Sequence, residues 1–134
     1  MSKPRDNWRP YVINALRDYY AYRDIVKQAQ TQRITAQFNK GRGGGNVSRT
    51  TELVALRTGL TPQQQIEYDA IERAVRNTRN GPDGKIRVKV VEMVYFRSTH
   101  TIEGAAQQVH VSYNTAWKWT DGFIRQTAKY LGLL

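Results

Sequence analysis

The sequence predicts an all-α fold: a small helical bundle with a long N-terminal helix and a C-terminal helix-turn-helix. Three observations predict it. Apolar residues recur at three- and four-residue steps in several segments, and helix-capping residues stand in front of these segments. No two segments read as strands that could pair with each other. With 134 residues, of which 40% are hydrophobic, the chain has room for one modest core and an arm.

The same patterns divide the chain into three regions. Residues 1–33 form a basic N-terminal helix and arm, and residues 34–50 form a Gly-rich flexible linker. Residues 51–134 form a helical domain, with the helix-turn-helix at residues 101–128.

A long helix is predicted over residues 10–33. Pro10 suits its first turn, because the N–H that proline lacks would have no partner there. One face of this helix carries Val12, Leu16, Tyr19, Arg23 and Val26. The same segment holds the tyrosines Tyr11, Tyr19, Tyr20 and Tyr22. We interpret the tyrosines as a core edge or a subunit contact; stacking on nucleic-acid bases is the alternative.

The Gly-rich stretch at residues 40–46 cannot hold a helix, because each glycine adds about 0.5–1 kcal/mol of backbone entropy cost. It is not a nucleotide-binding loop, since no Gly-Lys-Ser or Gly-Lys-Thr follows and no apolar strand precedes it. Two interpretations stay open. Lys40, Arg42 and Arg49 track DNA phosphates as an arm, or the stretch is a plain linker.

Two more helices are predicted before a clear turn at residues 80–84. Residues 51–57 form a short helix, and Thr61-Pro-Gln-Gln64 then gives a capping box with proline at the first position. The second helix continues to about Arg79. Its outer face is expected to carry three arginines partly offset by carboxylates: Arg73, Arg76, Arg79, Glu67, Asp69 and Glu72.

Residues 85–97 fit two patterns. Ile86, Val88 and Val90 alternate with charges, as in a strand. A helix face also fits, through Ile86, Val90, either Met93 or Val94, and Arg97. A strand without a partner is not viable, so we predict a helix. It would lie across the helix-turn-helix and complete a three-helix core.

The helix-turn-helix is predicted from two caps and a small residue between them. Thr101 caps a helix over residues 102–109, and Ser112 caps the next. Ala106 allows the two helices to approach closely. His110, in the turn, is expected to need a positive φ, which is where glycine is usual.

The second helix of this pair is expected to bury Ala116, Phe123 and either Trp119 or Thr120. Its exposed face carries long polar and aromatic groups that suit a DNA groove: Tyr113, Asn114, Trp117, Lys118, Asp121 and Arg125. We predict that Asn114 reads adenine, a contact worth about 1–3 kcal/mol. Ser112, Lys118 and Arg125 would hold phosphates. Tyr113 or Trp117 would pack on a thymine methyl or a sugar; burial of Trp117 beneath the first helix is the alternative.

The chain is strongly basic, with 21 Lys and Arg against 11 Asp and Glu and a net charge of +10. This excess favours an anionic partner. Residues 1–49 hold ten basic residues against three acidic, and residues 50–134 hold eleven against eight. We therefore expect the non-specific attraction for nucleic acid to concentrate ahead of the helix-turn-helix.

Several classes of protein are disfavoured. The chain has no cysteine, only two histidines and no HExxH motif, so we expect no enzyme, no cofactor and no metal site. No run approaches the roughly 18 apolar residues of a membrane span. The N-terminus lacks the apolar stretch of a signal peptide, so we expect a cytoplasmic protein without a membrane partner.

The layout resembles the phage transcriptional regulators of the RinA/ArpU type. Residues 86–134 carry the resemblance most clearly: MVYFRS, then TIEGAAQQVHVSYNTAWKW, stand where that family has a sigma-factor region 4-like helix-turn-helix. The resemblance implies an activator of phage or prophage late genes for packaging, morphogenesis or lysis, acting in the bacterial host cell. By position it puts six residues on the DNA-reading helix: Ser112, Tyr113, Asn114, Thr115, Trp117 and Lys118.

The predicted function is therefore sequence-specific binding of double-stranded DNA, with a homodimer on paired half-sites and host RNA polymerase as a possible partner. Two alternatives stay open. One is a small terminase subunit, although there the DNA reader usually precedes the oligomerising helices. The other is an RNA-binding antiterminator that uses the Gly/Arg stretch.

Overall fold

The computed structural model describes residues 7–39 and 59–134, with side chains described for residues 7–31 and 59–134. These ranges contain five α-helices and one π-helical turn and no strand, which confirms the all-α prediction. The elements are α1 Trp8–Asn39, α2 Pro62–Arg79, α3 Gly84–Val91, the π-turn Glu92–Phe96, α4 Ile102–Gln108 and α5 Tyr113–Tyr130.

Helix α1 is longer than predicted. It continues to Asn39, so the break expected from Ile34 begins later. The reason is local: residues 34–39 contain neither glycine nor proline, and the first glycine of the linker is Gly41. The short helix predicted over residues 51–57 lies outside the described residues.

Helix α2 begins as predicted. The hydroxyl of Thr61 accepts a hydrogen bond from the Gln64 N–H at 3.2 Å, and the Gln64 side chain accepts one from the Thr61 N–H at 3.1 Å. Pro62 occupies the first helical position. Because two otherwise unpaired N–H groups are satisfied, the start of α2 is well defined without any tertiary contact.

The turn between α2 and α3 brings the two helices into close contact. A Cβ atom at Gly84 would lie 2.1 Å from the carbonyl oxygen of Arg79, so only glycine fits there. Helix α3 then passes into the π-turn. There the backbone N–H of Arg97 donates to the backbone carbonyl oxygen of Glu92, five residues earlier, at 2.8 Å. Residues 85–96 are therefore helical, as predicted, but their last turn is wider than an α-helix.

The main core lies where α1, α2 and α5 meet the π-turn. Phe96 extends from the π-turn to within 4.6 Å of Tyr19 and 6.0 Å of Phe123, measured between ring centroids. The buried members of this main core are Val12, Ala15, Leu16, Tyr19, Ile71, Ala74, Val75, Val91, Phe96, Phe123, Ile124 and Ala128.

The tyrosines of α1 lie along the edge of this core, and their hydroxyls donate to carboxylates. Tyr22 donates to Glu67 at 2.6 Å, and Tyr11 donates to the other oxygen of that carboxylate. Tyr19 donates to Glu72 at 2.7 Å, and Tyr20 to Glu92. The core-edge interpretation is confirmed for Tyr19 and Tyr22, which are buried.

The prediction that Glu67 lies on the outer face of α2 is wrong. Glu67 does not offset the outer arginines of α2, because it is only 6% exposed. The hydroxyls of Tyr11 and Tyr22 supply the hydrogen bonds that a buried carboxylate needs. Arg73, Arg76 and Arg79 lie outside the core and are exposed, as expected.

Candidate nucleic-acid interface

Both helices of the C-terminal pair begin at the predicted caps. The Thr101 hydroxyl accepts a hydrogen bond from the Gly104 N–H at 3.0 Å, and the Ser112 hydroxyl accepts one from the Thr115 N–H at 3.1 Å. The caps fix where α4 and α5 start, and therefore the length of the turn between them.

The turn between α4 and α5 has the predicted strained residue. His110 has φ of 61°, in the left-handed region where glycine is usual. The next N–H, that of Val111, donates to the Ala106 carbonyl at 3.0 Å and closes the turn against α4. The chain can therefore reverse within a few residues between the two helices.

A second, smaller core holds α4 and α5 together with α3 and the π-turn, as predicted for a three-helix unit. We call it the helix-turn-helix core; its buried members are Val90, Met93, Ala105, Ala106 and Ala116. Three of the five are alanines, which lets α4 and α5 approach closely. Thr120 is buried on α5, whereas Trp119 is half-buried and its ring lies 5.3 Å from the Arg87 guanidinium.

The reading face is the surface formed by Tyr113, Asn114, Trp117 and Lys118 at the N-terminal half of α5. All four are exposed, and the two aromatic residues keep 51% and 43% of their surface in solvent. Burial of Trp117 beneath α4 is therefore excluded. Among the described residues, these four side chains have no hydrogen-bond or ion-pair partner. They form a polar and aromatic surface open to solvent.

Ser112 and Thr115 lie beside the reading face, but their hydroxyls are used within the cap. Ser112 donates to the Thr115 hydroxyl at 2.9 Å while it accepts from the Thr115 N–H. Thr115 is partly buried. Of the predicted site residues on α5, these two are the least free to contact a ligand with their side chains.

Asp121 departs from the prediction that it lies on the exposed face. Its side chain is only 16% exposed and forms ion pairs with Arg9 at 2.7 Å and Arg125 at 3.0 Å. Burial opposes its ionisation, but the hydrogen bonds and charges of both arginines outweigh burial and lower the pKa of Asp121. Arg125, predicted to hold phosphate, is therefore shared with Asp121.

Arg9 is a residue that sequence reasoning did not assign. It precedes the helix predicted from Pro10 and so belongs to the predicted basic arm, yet its ion pair joins the first turn of α1 to the middle of α5. No local pattern signals a contact between opposite ends of the chain. Lys40, Arg42 and Arg49, the predicted phosphate-tracking arm, lie outside the described residues.

Neither a metal-ion cluster nor a membrane-spanning helix is found in residues 7–39 and 59–134. Among the described residues, no three His, Asp or Glu side chains gather in a way that suits a metal ion. None of the helices in those ranges combines the length and the apolar character of a membrane span.

No protein-family model matches this chain, and comparisons with curated proteins and with solved structures give no match either. The functional interpretation therefore rests on the residues of the chain and their geometry.

Proposed function

We propose that the protein is a sequence-specific double-stranded DNA-binding regulator of transcription. The observation that carries the proposal is the reading face. Tyr113, Asn114, Trp117 and Lys118 project from the first turns of the second helix of a helix-turn-helix. In proteins of this architecture, the N-terminal residues of that helix contact base edges in the major groove.

The chemistry of the four side chains fits this role. Asn114 carries an amide that can pair bidentately with adenine, and Lys118 carries a charge for phosphate. Tyr113 and Trp117 offer apolar surface to a thymine methyl or a sugar. The net charge of +10 adds attraction that depends on salt and not on base sequence.

A single helix-turn-helix reads only a few base pairs, so we propose that two copies bind paired half-sites. The more specific role, activation of phage late genes in a bacterial host with contact to RNA polymerase, rests on the resemblance to the RinA/ArpU-type regulators.

Selection from a random duplex library, followed by salt titration on the enriched site, tests the proposal. We expect an enriched motif and an affinity that falls steeply with salt. Asn114→Ala should relax one base position, whereas Lys118→Gln should weaken all duplexes about equally. Absence of an enriched motif together with a salt slope near zero would contradict the proposal.

Two further measurements separate the alternatives. Competition with single-stranded RNA of equal length should leave duplex binding dominant; preference for RNA would favour an antiterminator. Light scattering should give a monomer or dimer, since a large ring would favour a DNA-packaging subunit.

A further inference from the structure

A groove runs along the outer side of α5, next to the junction of α2 and α3. Its volume is about 710 Å³, and it adjoins the reading face, because Lys118 belongs to both surfaces. We call it the basic groove. It is lined by α5 on one side, by Thr78 and Arg87 on the other, and by Leu134.

The charged side chains that line the basic groove are all cationic. Its cationic residues are Arg87, Lys118, Arg125 and Lys129, and none of the described residues that line it is acidic. Arg125 is shared with Asp121, which lies outside the lining. Arg87 is held in place over the Trp119 ring, and its Nε is buried without a hydrogen-bond acceptor among the described residues. These features suit an anionic ligand.

The shape of the basic groove favours an extended ligand over a single anion. The distance from Lys118 to Lys129 along α5 is about 16 Å at the rise of an α-helix. A DNA strand carries one charge per about 3.4 Å of axis, so this length exceeds the reach of one phosphate. Gly122 lies between the two lysines, and a Cβ there would meet no atom within 4 Å. A phosphate backbone can therefore approach the helix closely.

Two aromatic rings of the basic groove each have an arginine against one face. The Arg87 guanidinium lies over Trp119, and the Arg73 guanidinium lies 4.4 Å from the Tyr130 ring centroid. The Tyr130 hydroxyl is also hydrogen-bonded, to Asn77 and to Gln126. A free base or nucleotide that stacked on either of these two ring faces would have to displace a cation. These contacts favour phosphates over bases as ligands of the groove.

We propose that the basic groove binds the phosphodiester backbone of duplex DNA beside the segment read by α5. This inference rests on the proposed function and deepens it: it assigns Arg87 and Lys129 as phosphate-binding residues and extends the DNA contact along the whole of α5. The contact positions the reading face and carries no base information itself.

Salt titration of matched variants tests the groove. Lys129→Gln should make the slope of log affinity against log salt shallower by about 1, as loss of one phosphate contact does. Lys89→Gln is the matched control, since Lys89 is also an exposed helical lysine but lies on α3 and does not line the groove. It should leave the slope unchanged. Both variants should melt within a few degrees of the parent.

The outcomes separate the groove from the proposed function. If Lys118→Gln makes the slope shallower but Lys129→Gln does not, the groove proposal is wrong and the reading face stands. If the parent protein shows no salt-dependent duplex binding, both proposals fail. If Lys129→Gln weakens binding of single-stranded RNA but not of duplex DNA, the groove is an RNA site and our assignment is overturned.

A second pair of variants tests the basic groove at Gly122 without removing a cation. Gly122→Glu places a carboxylate between Lys118 and Lys129, and Gly122→Gln places a neutral side chain of equal length there. Both replace a mid-helix glycine with a better helix former, so neither should lower the melting temperature. We expect Gly122→Glu to lower duplex affinity at least tenfold relative to Gly122→Gln. Equal affinities of the two variants would refute backbone contact at this position.

Discussion

Two parts of the molecule are rich in aromatic and polar side chains, and they use them differently. At the contact between α1 and α2, Tyr11 and Tyr22 both donate to the buried carboxylate of Glu67. At the N-terminal half of α5, Tyr113 and Trp117 are exposed and have no such partner among the described residues. Composition alone would make either aromatic segment a candidate for stacking on nucleic-acid bases. The presence of an internal partner for the hydroxyl groups separates a structural contact from a surface available to bind.

The two cores differ in the same sense. The main core joins side chains from five elements, and it includes the large rings of Tyr19, Phe96 and Phe123. The helix-turn-helix core is small and contains three alanines. Because a small core contributes less buried apolar area, the position of α5 depends largely on its attachment to the main core through Phe123, Ile124 and Ala128. Mutations in the two regions should therefore separate stability from binding.

The largest expected effect is on stability, in the main core. Leu16 is fully buried, so Leu16→Ala should lower the free energy of unfolding by about 2–5 kcal/mol. Urea denaturation measures it. Tyr113→Ala on the reading face is the control and should change stability by less than about 0.5 kcal/mol. A comparable loss in both variants would mean that the reading face is part of the structural core.

Glu67→Ala should cause the next largest loss in the free energy of unfolding. It leaves the hydroxyls of the buried Tyr22 and of Tyr11 without their acceptor, at a cost of about 1–3 kcal/mol. Glu67→Gln keeps one acceptor oxygen and should cost less. The comparison of the two denaturation curves isolates the hydrogen bonds from the packing of the side chain. If the alanine variant is as stable as the parent, the tyrosine–carboxylate contact does not hold α1 to α2.

Unlike the two variants above, Asn114→Ala should weaken DNA binding and leave stability unchanged. We expect a loss of about 1–3 kcal/mol in binding to the selected DNA site, because one bidentate base contact is removed. Thermal stability should remain within about 0.5 kcal/mol of the parent, since Asn114 is exposed. Fluorescence anisotropy with the selected duplex and with a scrambled duplex measures it. Equal losses on both duplexes would show that Asn114 does not read a base.

The α1–α2 contact should also weaken at alkaline pH. Burial, followed by the hydrogen bond to Glu67, raises the pKa of Tyr22, and burial likewise raises the pKa of Tyr68 to about 12. A raised folded-state pKa adds stability that is fully present below about pH 10, the unfolded value, and is lost as pH rises through the folded value. The loss should reach at most about 1.4 kcal/mol per pH unit for each tyrosine.

Denaturation curves between pH 9 and 12 measure this effect. Tyr22→Phe should reduce the steepness of the decline above pH 10, because that variant has one ionisable group fewer at the contact. Tyr113→Phe is the exposed control and should leave the steepness unchanged. Identical profiles for the parent and Tyr22→Phe would rule out a stabilising role for the Tyr22 hydroxyl.

The smallest expected effect lies in the turn between α4 and α5. His110→Gly should raise stability by about 0.5–1 kcal/mol, because glycine adopts the positive φ without strain. His110 is exposed, so little packing is lost. His110→Ala keeps the strain and should give no gain in the same thermal melts. DNA binding should be retained in both variants, and its loss would assign His110 a role in contact.

The two errors on charged residues have one physical origin. Glu67 and Asp121 were both expected on the surface, but Glu67 is buried, Asp121 is largely covered, and each has a partner far away in sequence. Hydrophobic periodicity places a charged residue outward by default. It contains no information on a hydroxyl or guanidinium of another helix that pairs with this charged residue. The late end of α1 is a different kind of error, since the glycines mark the linker but not its first residue.

Local features were within reach of the sequence alone. Caps at Thr61, Thr101 and Ser112, the strained turn at His110 and the exposure of Asn114 and Lys118 follow from interactions within a few residues or from helical periodicity. Only the tertiary structure decided that Tyr22 turns inward to Glu67, that Arg9 pairs with Asp121, and that Arg87 joins Lys129 along one groove. The physical reason is range: caps and periodicity act over one or two helical turns, whereas a buried charge or a shared groove depends on which helices pack together.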